Sequence, residues 1–580
     1  MKTKNPNHSR KVELVMLLAY AVAFYIFIIR RSLEITHDHS SKLYGLRPGW
    51  LFSSYSLNDV SDAQWRNFRS NLPILTVVFG AFAMLANTLR AYFHLKARGM
   101  SIIWLFISLI YLCYLHGACI IFVLAIASLN FLLVKIFAQR NYFPFLLWII
   151  NIFFLLCTRV YEGYSFSIFG QRWTFLDNHR GTFRWHICFN FVILRMISFG
   201  YDYHGHIEIL VLIMRSMSSV AIFVNQENFA TKFYRLAGVI ELERNISESF
   251  SFSIYLCYLV YAPLYIAGPI INFNAFASQL EVPQNNYSSR DVVWYGLRWI
   301  FGLFLMELMT HLFYYNAFAI SGMWKLLSPL DVFIIGYGVR GDLDCFMLFL
   351  LDSSPFEHLI QVHLLITAIY KDVVKSRDTC FKLYVAKVFS DLALFSVLVT
   401  GMFAESVCGI ETPENMPRCL NNCHNLETFW KNWHASFNKW LVRYLYIPLG
   451  GSRRKLLNVW VIFTFVAIWH DLEWKLLSWA WLTCLFFVPE MVVKSAANSF
   501  QAKSAFGEFL FREFSAIAGA ITITCLMIAN LVGYVVGPSG INWLISRFPT
   551  REGLPVLSGM FITFYVGTKL MFHIEDAKQR

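Results

Sequence analysis

Charge is what this chain has least of. Asp, Glu, Lys and Arg make up 15% of its 580 residues, whereas 57% are hydrophobic and the mean hydropathy is +0.51. Few soluble domains approach that balance, so an assembly of water-soluble domains is excluded. No C-x-x-C pair occurs among the twelve cysteines, which argues against a zinc site or a disulfide framework. They are scattered, many of them inside apolar runs, and read as small buried hydrophobes. Walker and G-x-S-x-G motifs are missing, and no histidine is followed five residues later by aspartate. The acyltransferase class built on that last spacing is therefore excluded. Gly336-Tyr337-Gly338-Val339-Arg340-Gly341 fits G-x-G-x-x-G but lacks a strand–turn–helix setting, and carries no nucleotide site.

An excess of acid is also missing. There are 36 Asp and Glu against 49 Lys and Arg, a net charge of +13. The basic residues form short clusters between apolar spans. That placement suits anionic lipid headgroups or an anionic cosubstrate, and argues against nucleic acid as a partner.

Apolar runs fill the rest. A helix needs roughly 20 apolar residues to cross a bilayer, and such runs recur over nearly the whole length. The fold class is therefore an all-α polytopic membrane protein of roughly eleven to thirteen transmembrane and re-entrant helices. Residues 1–33 read as a basic tail and an uncleaved anchor, Val12 to Ile29, ending at Arg30-Arg31. Residues 34–71 read as a polar loop with interfacial helices, and 72–575 as one membrane domain with a motif core at 413–477. Spans are expected at Leu72–Leu89, Ile102–Tyr114, Ala118–Leu133, Phe145–Leu156, Phe252–Phe273 and Val293–Tyr314. Others are expected at Leu327–Ile335, Phe346–Leu351 with Leu359–Ile369, Val385–Phe403, Leu476–Val493, Ile517–Val536 and Leu554–Phe572. The helix from Trp185 carries Arg195, whose charge is costly in lipid and should face protein or water. The span at Phe252 breaks at Pro263 and Gly268-Pro269, either as a packing kink or as backbone lining a cavity.

Chemistry concentrates in Glu427 to Trp474, ETFWKNWHASFNKWLVRYLYIPLGGSRRKLLNVWVIFTFVAIWHDLEW. His434 and His470 stand in an aromatic and aliphatic setting, and histidine is the side chain whose proton moves near neutral pH. Pro448 and Gly450-Gly451 break the helix between them, followed by Arg453-Arg454-Lys455. A helix with His434, a cationic turn and an apolar helix ending at His470 would bring the two imidazoles near each other at membrane depth. Asp471 would be placed to orient the second imidazole.

W-K-N-W-H-A-S-F-N-K-W-L, R-Y-L-Y-I-P-L-G-G-S and A-I-W-H resemble the membrane-bound O-acyltransferase superfamily. Y-A-P-L-Y-I-A-G-P-I-I-N-F-N (Tyr261 to Asn274) and S-D-A-Q-W-R-N-F-R-S-N-L-P (Ser61 to Pro73) look like the branch of the fungal glycerol-uptake proteins and Hedgehog acyltransferase. P-E-N-M-P-R-C (Pro413 to Cys419) and W-H-D-L-E-W-K-L-L (Trp469 to Leu477) point to the glycerol-uptake side. The resemblance implies helices around a central reaction chamber, with His470 catalytic and His434 assisting. It implies an acyl-CoA cosubstrate, a lipid acceptor such as a lyso-glycosylphosphatidylinositol or another glycerolipid, and the endoplasmic reticulum membrane. Trp433, Asn438, Arg443, Arg453, Arg454 and Lys455 are the candidate substrate-binding residues; for the four cations, positive-inside charge is the competing reading.

The superfamily's chemistry needs no cofactor, yet the resemblance places at Cys419 the haem-ligating cysteine of Hedgehog acyltransferase. The aspartate that acyltransferase has at the His434 position is absent here, which favours a hydroxyl over a protein amine as acceptor. A protein acyltransferase remains an alternative. So does a polyol transporter, which would want buried histidines as proton carriers, although the two related halves common in transporters are not visible.

Overall fold

The computed structural model describes residues 6–51, 57–61, 95–181, 183–223, 248–265, 269–282, 307–337, 425–498, 504–530 and 540–578, with isolated positions between. Cys419 and the expected spans at Phe346–Leu351, Leu359–Ile369 and Val385–Phe403 lie outside the described residues, as do most of Leu72–Leu89 and half of Val293–Tyr314.

The helices are α1 (Pro6–His39), α2 (Ala97–His116), α3 (Ile120–Phe137), α4 (Phe143–Val160), α5 (Trp185–Phe223), α6 (Phe252–Val260), α7 (Ala262–Tyr265), α8 (Phe273–Glu281), α9 (Tyr315–Ser321), α10 (Leu426–Asn432) and α11 (Ala435–Leu441). They continue with α12 (Lys455–His470), α13 (Trp474–Asn498), α14 (Ala505–Asn530), α15 (Gly540–Arg547) and α16 (Gly553–Lys578). Among the described residues, α1 to α4, α13, α14 and α16 are long and apolar enough to cross a membrane. In a bilayer only helices and closed barrels satisfy their backbones internally. This is a multi-pass membrane protein of the all-α class.

Two strands, β1 (Leu46–Pro48) and β2 (Leu57–Asp59), pair antiparallel after α1. Here the structure departs from the sequence reading. The polar stretch begins inside α1, which runs past Arg30-Arg31 to His39 and so crosses the expected boundary at 33/34. Glu34 meets Arg30 at 3.5 Å and Arg31 at 3.0 Å, one helical turn away, and Arg31 also pairs with Asp331 at 2.8 Å. Matched charge lets the helix continue. The hairpin then docks through Asp59, which accepts the amide of Ala317 in α9 at 3.0 Å.

Three apolar clusters hold the bundle. The largest joins α2 to α8 with α11 and α12. A second joins α1, α9, 329–337, α14 and α16. A smaller one around α10, α12, α13 and α14 lies between them. Helix α12 contributes to the first and the third, so the histidine-bearing segment sits at the junction.

The break after α6 has a specific partner. Arg195, 3% exposed, donates through Nη1 to the Leu259 carbonyl at 2.8 Å and through Nη2 to the Leu264 carbonyl. Pro263 strips the Leu259 carbonyl of its helical donor, and the Leu264 carbonyl lies in the last turn of α7. The costly charge faces protein, as the sequence demanded, and satisfies the broken backbone. Beyond the break, Ile270 donates to Ser436 Oγ (3.1 Å), Phe273 to Ser198 Oγ (3.1 Å) and Asn274 to Asp202 (3.1 Å). The unwound strand is thereby tied to α5 and α11.

Candidate active site

Helices α10 and α11 form a helical hairpin with His434 at its apex. Asn425 caps α10 by accepting the Thr428 amide at 2.7 Å. Glu490 of α13 takes the Leu426 and Glu427 amides at 2.7 and 3.2 Å. The chain reverses at Trp433–His434, where His434 adopts φ +48°; among described non-glycine residues only Glu162 shares that region. A left-handed non-glycine residue costs about 1–3 kcal/mol and persists where its surroundings over-determine it. Here they do. Asn438 Nδ2 donates to the Trp430 carbonyl (3.2 Å), Trp433 stacks on Phe429 at 5.8 Å, and its ring meets the His434 imidazole edge-on at 5.3 Å. Trp433 and Asn438 thus shape the turn that presents His434.

The hairpin packs along α12. Trp430 meets Phe463 at 5.1 Å, Phe437 meets Trp469 at 4.7 Å, and Trp440 stacks on Phe465 at 6.2 Å. The 437–469 and 440–465 pairs run antiparallel, so one further helical turn carries the His434 apex to the C-terminal end of α12. That is where His470 sits. Both histidines are half-buried. Sequence separation of 36 residues is erased by one reversal at Pro448 to Gly451.

The end of α12 is gripped from two other helices. Arg159 of α4 donates through Nη2 to the carbonyls of His470 (2.7 Å) and Trp469 (3.3 Å). Asn190 of α5 donates to the same Trp469 carbonyl at 2.5 Å, and the Trp469 indole returns a bond to the Asn190 carbonyl at 3.1 Å. The last carbonyls of a helix lack intrahelical donors and carry partial negative charge. A guanidinium satisfies both needs. Asp471, expected to orient the imidazole, does something else. It leaves the helix in extended conformation, and its carboxylate accepts the Leu472 amide at 2.8 Å and lies 3.8 Å from Arg159.

The cations sit at the opposite end of α12. Arg453 and Arg454 are exposed in a 3₁₀ turn, Gly451–Arg454, and Lys455 begins the helix. At 1.5 Å per residue, Lys455 and His470 are about 22 Å apart along the axis. Lys455 approaches Glu427 at 3.7 Å, and Lys431 and Lys494 reach the same carboxylate at 2.8 and 2.7 Å. Burial raises the Glu427 pKa, but the lysines outweigh it and hold the carboxylate at about 2. Lys431 and Lys494 enlarge the basic patch beyond the three residues that the sequence marks. Arg443 is not part of it. The π-helical turn Val442–Tyr446 aims its guanidinium at buried Asp202, 3.0 Å away, which also accepts the Tyr444 hydroxyl at 2.9 Å.

Arg159 and Asn190 were not legible as site residues. Arg159 carries no motif, and its one sequence signal is an arginine in the last turn of an apolar span.

The profile of the membrane-bound O-acyltransferase family matches residues 346–533, which include the hairpin, α12 and both histidines. The chain is 30% identical over 536 residues to the membrane-bound O-acyltransferase gup1 of Schizosaccharomyces pombe, covering 91% of this chain and 82% of that protein. It is 29% identical over 539 residues to GUP1 of Saccharomyces cerevisiae, covering 92% and 85%. The mouse protein-cysteine N-palmitoyltransferase HHAT is 27% identical over 295 residues, about half of each chain. Similarity that spans nearly all the described helices, together with a profile match over the histidine-bearing hairpin, makes this chain an acyltransferase belonging to the membrane-bound O-acyltransferase family.

Proposed function

We propose that this protein moves a long-chain acyl group from acyl-CoA to a hydroxyl of a membrane lipid, with His470 as the general base. A hydroxyl is a poor nucleophile until a base takes its proton. In this reading His470 accepts the proton as the acceptor oxygen attacks the thioester carbonyl. The tetrahedral intermediate collapses with loss of the coenzyme A thiolate, to which the imidazolium returns the proton. His434 hydrogen-bonds the acceptor or the developing oxyanion. Arg159 and Asn190 fix the backbone that carries His470.

The observation that carries this reading is the antiparallel packing of the α10–α11 hairpin on α12, which presents both histidines at one end of α12. The basic patch at the other end suits the phosphates of coenzyme A. A donor bound there must lay its pantetheine arm along most of α12 to reach His470, a span approaching the roughly 30 Å hydrocarbon thickness. Donor phosphates and acceptor hydroxyl then approach from opposite faces of the bundle. The acceptor in this reading is a lipid of the endoplasmic reticulum membrane, such as a lyso-glycosylphosphatidylinositol or another glycerolipid. No step requires haem.

The test is acyl-CoA turnover by purified protein against a panel of lyso-lipids and peptides, with His470→Ala as control. Acylation of a lyso-lipid, lost in the variant, is expected. Turnover confined to peptides, or retained without His470, would overturn the assignment.

A further inference from the structure

Residues 161–184, which connect α4 to α5, fold into a lobe of two 3₁₀ helices, Phe166–Phe169 and Gln171–His179. The lobe is firmly built. Asp177 accepts the Ser165 hydroxyl (2.8 Å) and the Phe166 amide (3.1 Å), and also pairs with Arg180. Phe166, 1% exposed, packs on Phe122 with ring centroids 4.6 Å apart. The lobe is also bonded to the turn between α2 and α3. Ala118 donates to the His179 carbonyl at 2.9 Å, and Phe183 donates to the Leu115 carbonyl at 2.8 Å. Gly117 is required there, because a Cβ at that position would fall 2.0 Å from the His179 carbonyl oxygen.

On its outer side this rigid lobe carries Ile168, Phe169, Trp173 and Phe175, which are 68%, 55%, 50% and 56% exposed. Arg172 and Arg184 of the same lobe are also exposed. Its height in the bilayer is set by its attachments, because it begins one residue past the membrane-length α4 and is bonded to the end of α2 and the start of α3. Those attachments would put it where hydrocarbon gives way to headgroups. That layer is about 5–8 Å deep on each side, the difference between a roughly 30 Å core and a 40–45 Å bilayer. Aromatic side chains with flanking arginines are the composition that this layer favours.

We propose that residues 161–184 are an interfacial platform. The exposed face is seated in the lipid headgroup layer, with Ile168, Phe169, Trp173 and Phe175 against the acyl boundary and Arg172 and Arg184 against lipid phosphates. The platform adjoins the acyl-transfer centre. Arg159, two residues before it, holds the His470 carbonyl, so its depth sets the depth of His470 relative to the headgroups. Resting on the catalytic reading, it would hold that centre where the hydroxyl of a membrane amphiphile resides.

The test reads position rather than activity, so it does not depend on the catalytic assignment. A genetically encoded fluorescent amino acid replaces Phe169, and in a second variant Trp173. The full-length protein is reconstituted in phosphatidylcholine–phosphatidylinositol vesicles. Quenching by a lipid spin-labelled near the headgroup is compared with quenching by aqueous iodide. Several-fold stronger quenching by the labelled lipid at both positions is expected. Dominant iodide quenching at either position means that the lobe stands in water, and quenching by neither reagent means that protein covers it; each outcome overturns the proposal.

Discussion

The residues at the end of α12 divide between those that would do chemistry and those that hold them. Removing a general base costs about 10²–10⁴ in rate, so His470→Ala should abolish detectable transfer while the detergent-solubilised protein keeps its elution profile and melting temperature. His434→Ala should also impair turnover. His434→Asn should retain more, because an amide still donates and accepts a hydrogen bond; equal rates in the two variants would make that imidazole a packing group. Arg159 is a positioning residue. Misplacement by about 1 Å can cost on the order of 10²-fold, so Arg159→Ala should lower kcat by up to that factor with little change in KM for acyl-CoA. Arg159→Lys should rescue only part of the loss, since an ammonium lacks the planar fork that serves two carbonyls. A raised KM with unchanged kcat would instead make Arg159 a substrate-binding group.

At the scale of elements, α12 would work as a spacer, with the basic patch at its N-terminal end and the proposed base, His470, at its C-terminal end. Replacing Arg453, Arg454 and Lys455 together by glutamine should raise KM for acyl-CoA, with a smaller effect on turnover at saturation, the signature of lost uniform binding. Unchanged KM would place the coenzyme A site elsewhere. The α10–α12–α13 junction should also sense acid. A carboxylate whose folded-state pKa is depressed adds stability at pH above its unfolded value, and that stability is lost as pH falls toward the folded value. Glu427, at about 2 among its lysines, should therefore keep the junction intact above about pH 4.5 and weaken it progressively below. Thermal melting in detergent between pH 6 and pH 3 should fall more steeply for wild type than for Glu427→Gln.

Across the described residues, the largest and the smallest cores meet at the motif segment, and the backbone break after α6 is met by partners that the protein supplies. Arg195 is the clearest case. Leaving a buried carbonyl without a donor costs about 1–3 kcal/mol, and Arg195 serves those of Leu259 and Leu264. Arg195→Leu should therefore lower the melting temperature and yield little monodisperse protein, whereas Arg443→Gln should be milder, because that side chain is half exposed and an amide can still donate to buried Asp202. A separate ionic cluster ties the chain ends together. Lys569 of α16 lies 2.5 Å from Glu13 of α1 and also pairs with Glu513 of α14, which explains how α1 stays docked although few of its side chains are buried.

Membrane location and helical class were legible in the sequence, as was the segment that carries the two histidines, because each depends on local facts. Apolar runs of sufficient length have one stable fate in lipid, and a histidine in an apolar motif stands out against its neighbours. Arg195 was readable for the same reason, since a charge in a span must face protein. The length of α1 was not legible, because Arg31 needed Asp331, 300 residues away, to carry the helix past its polar residues. Nor were Arg159 and Asn190, whose role exists only once α4 and α5 are brought against the end of α12. The left-handed turn at His434 is held by near neighbours, Phe429, Trp430 and Asn438, but no glycine or proline marks it in the sequence. Composition and periodicity determined what must be buried and where helices form. Which carbonyl meets which guanidinium was decided by packing between segments far apart in the chain, and no local pattern encodes that.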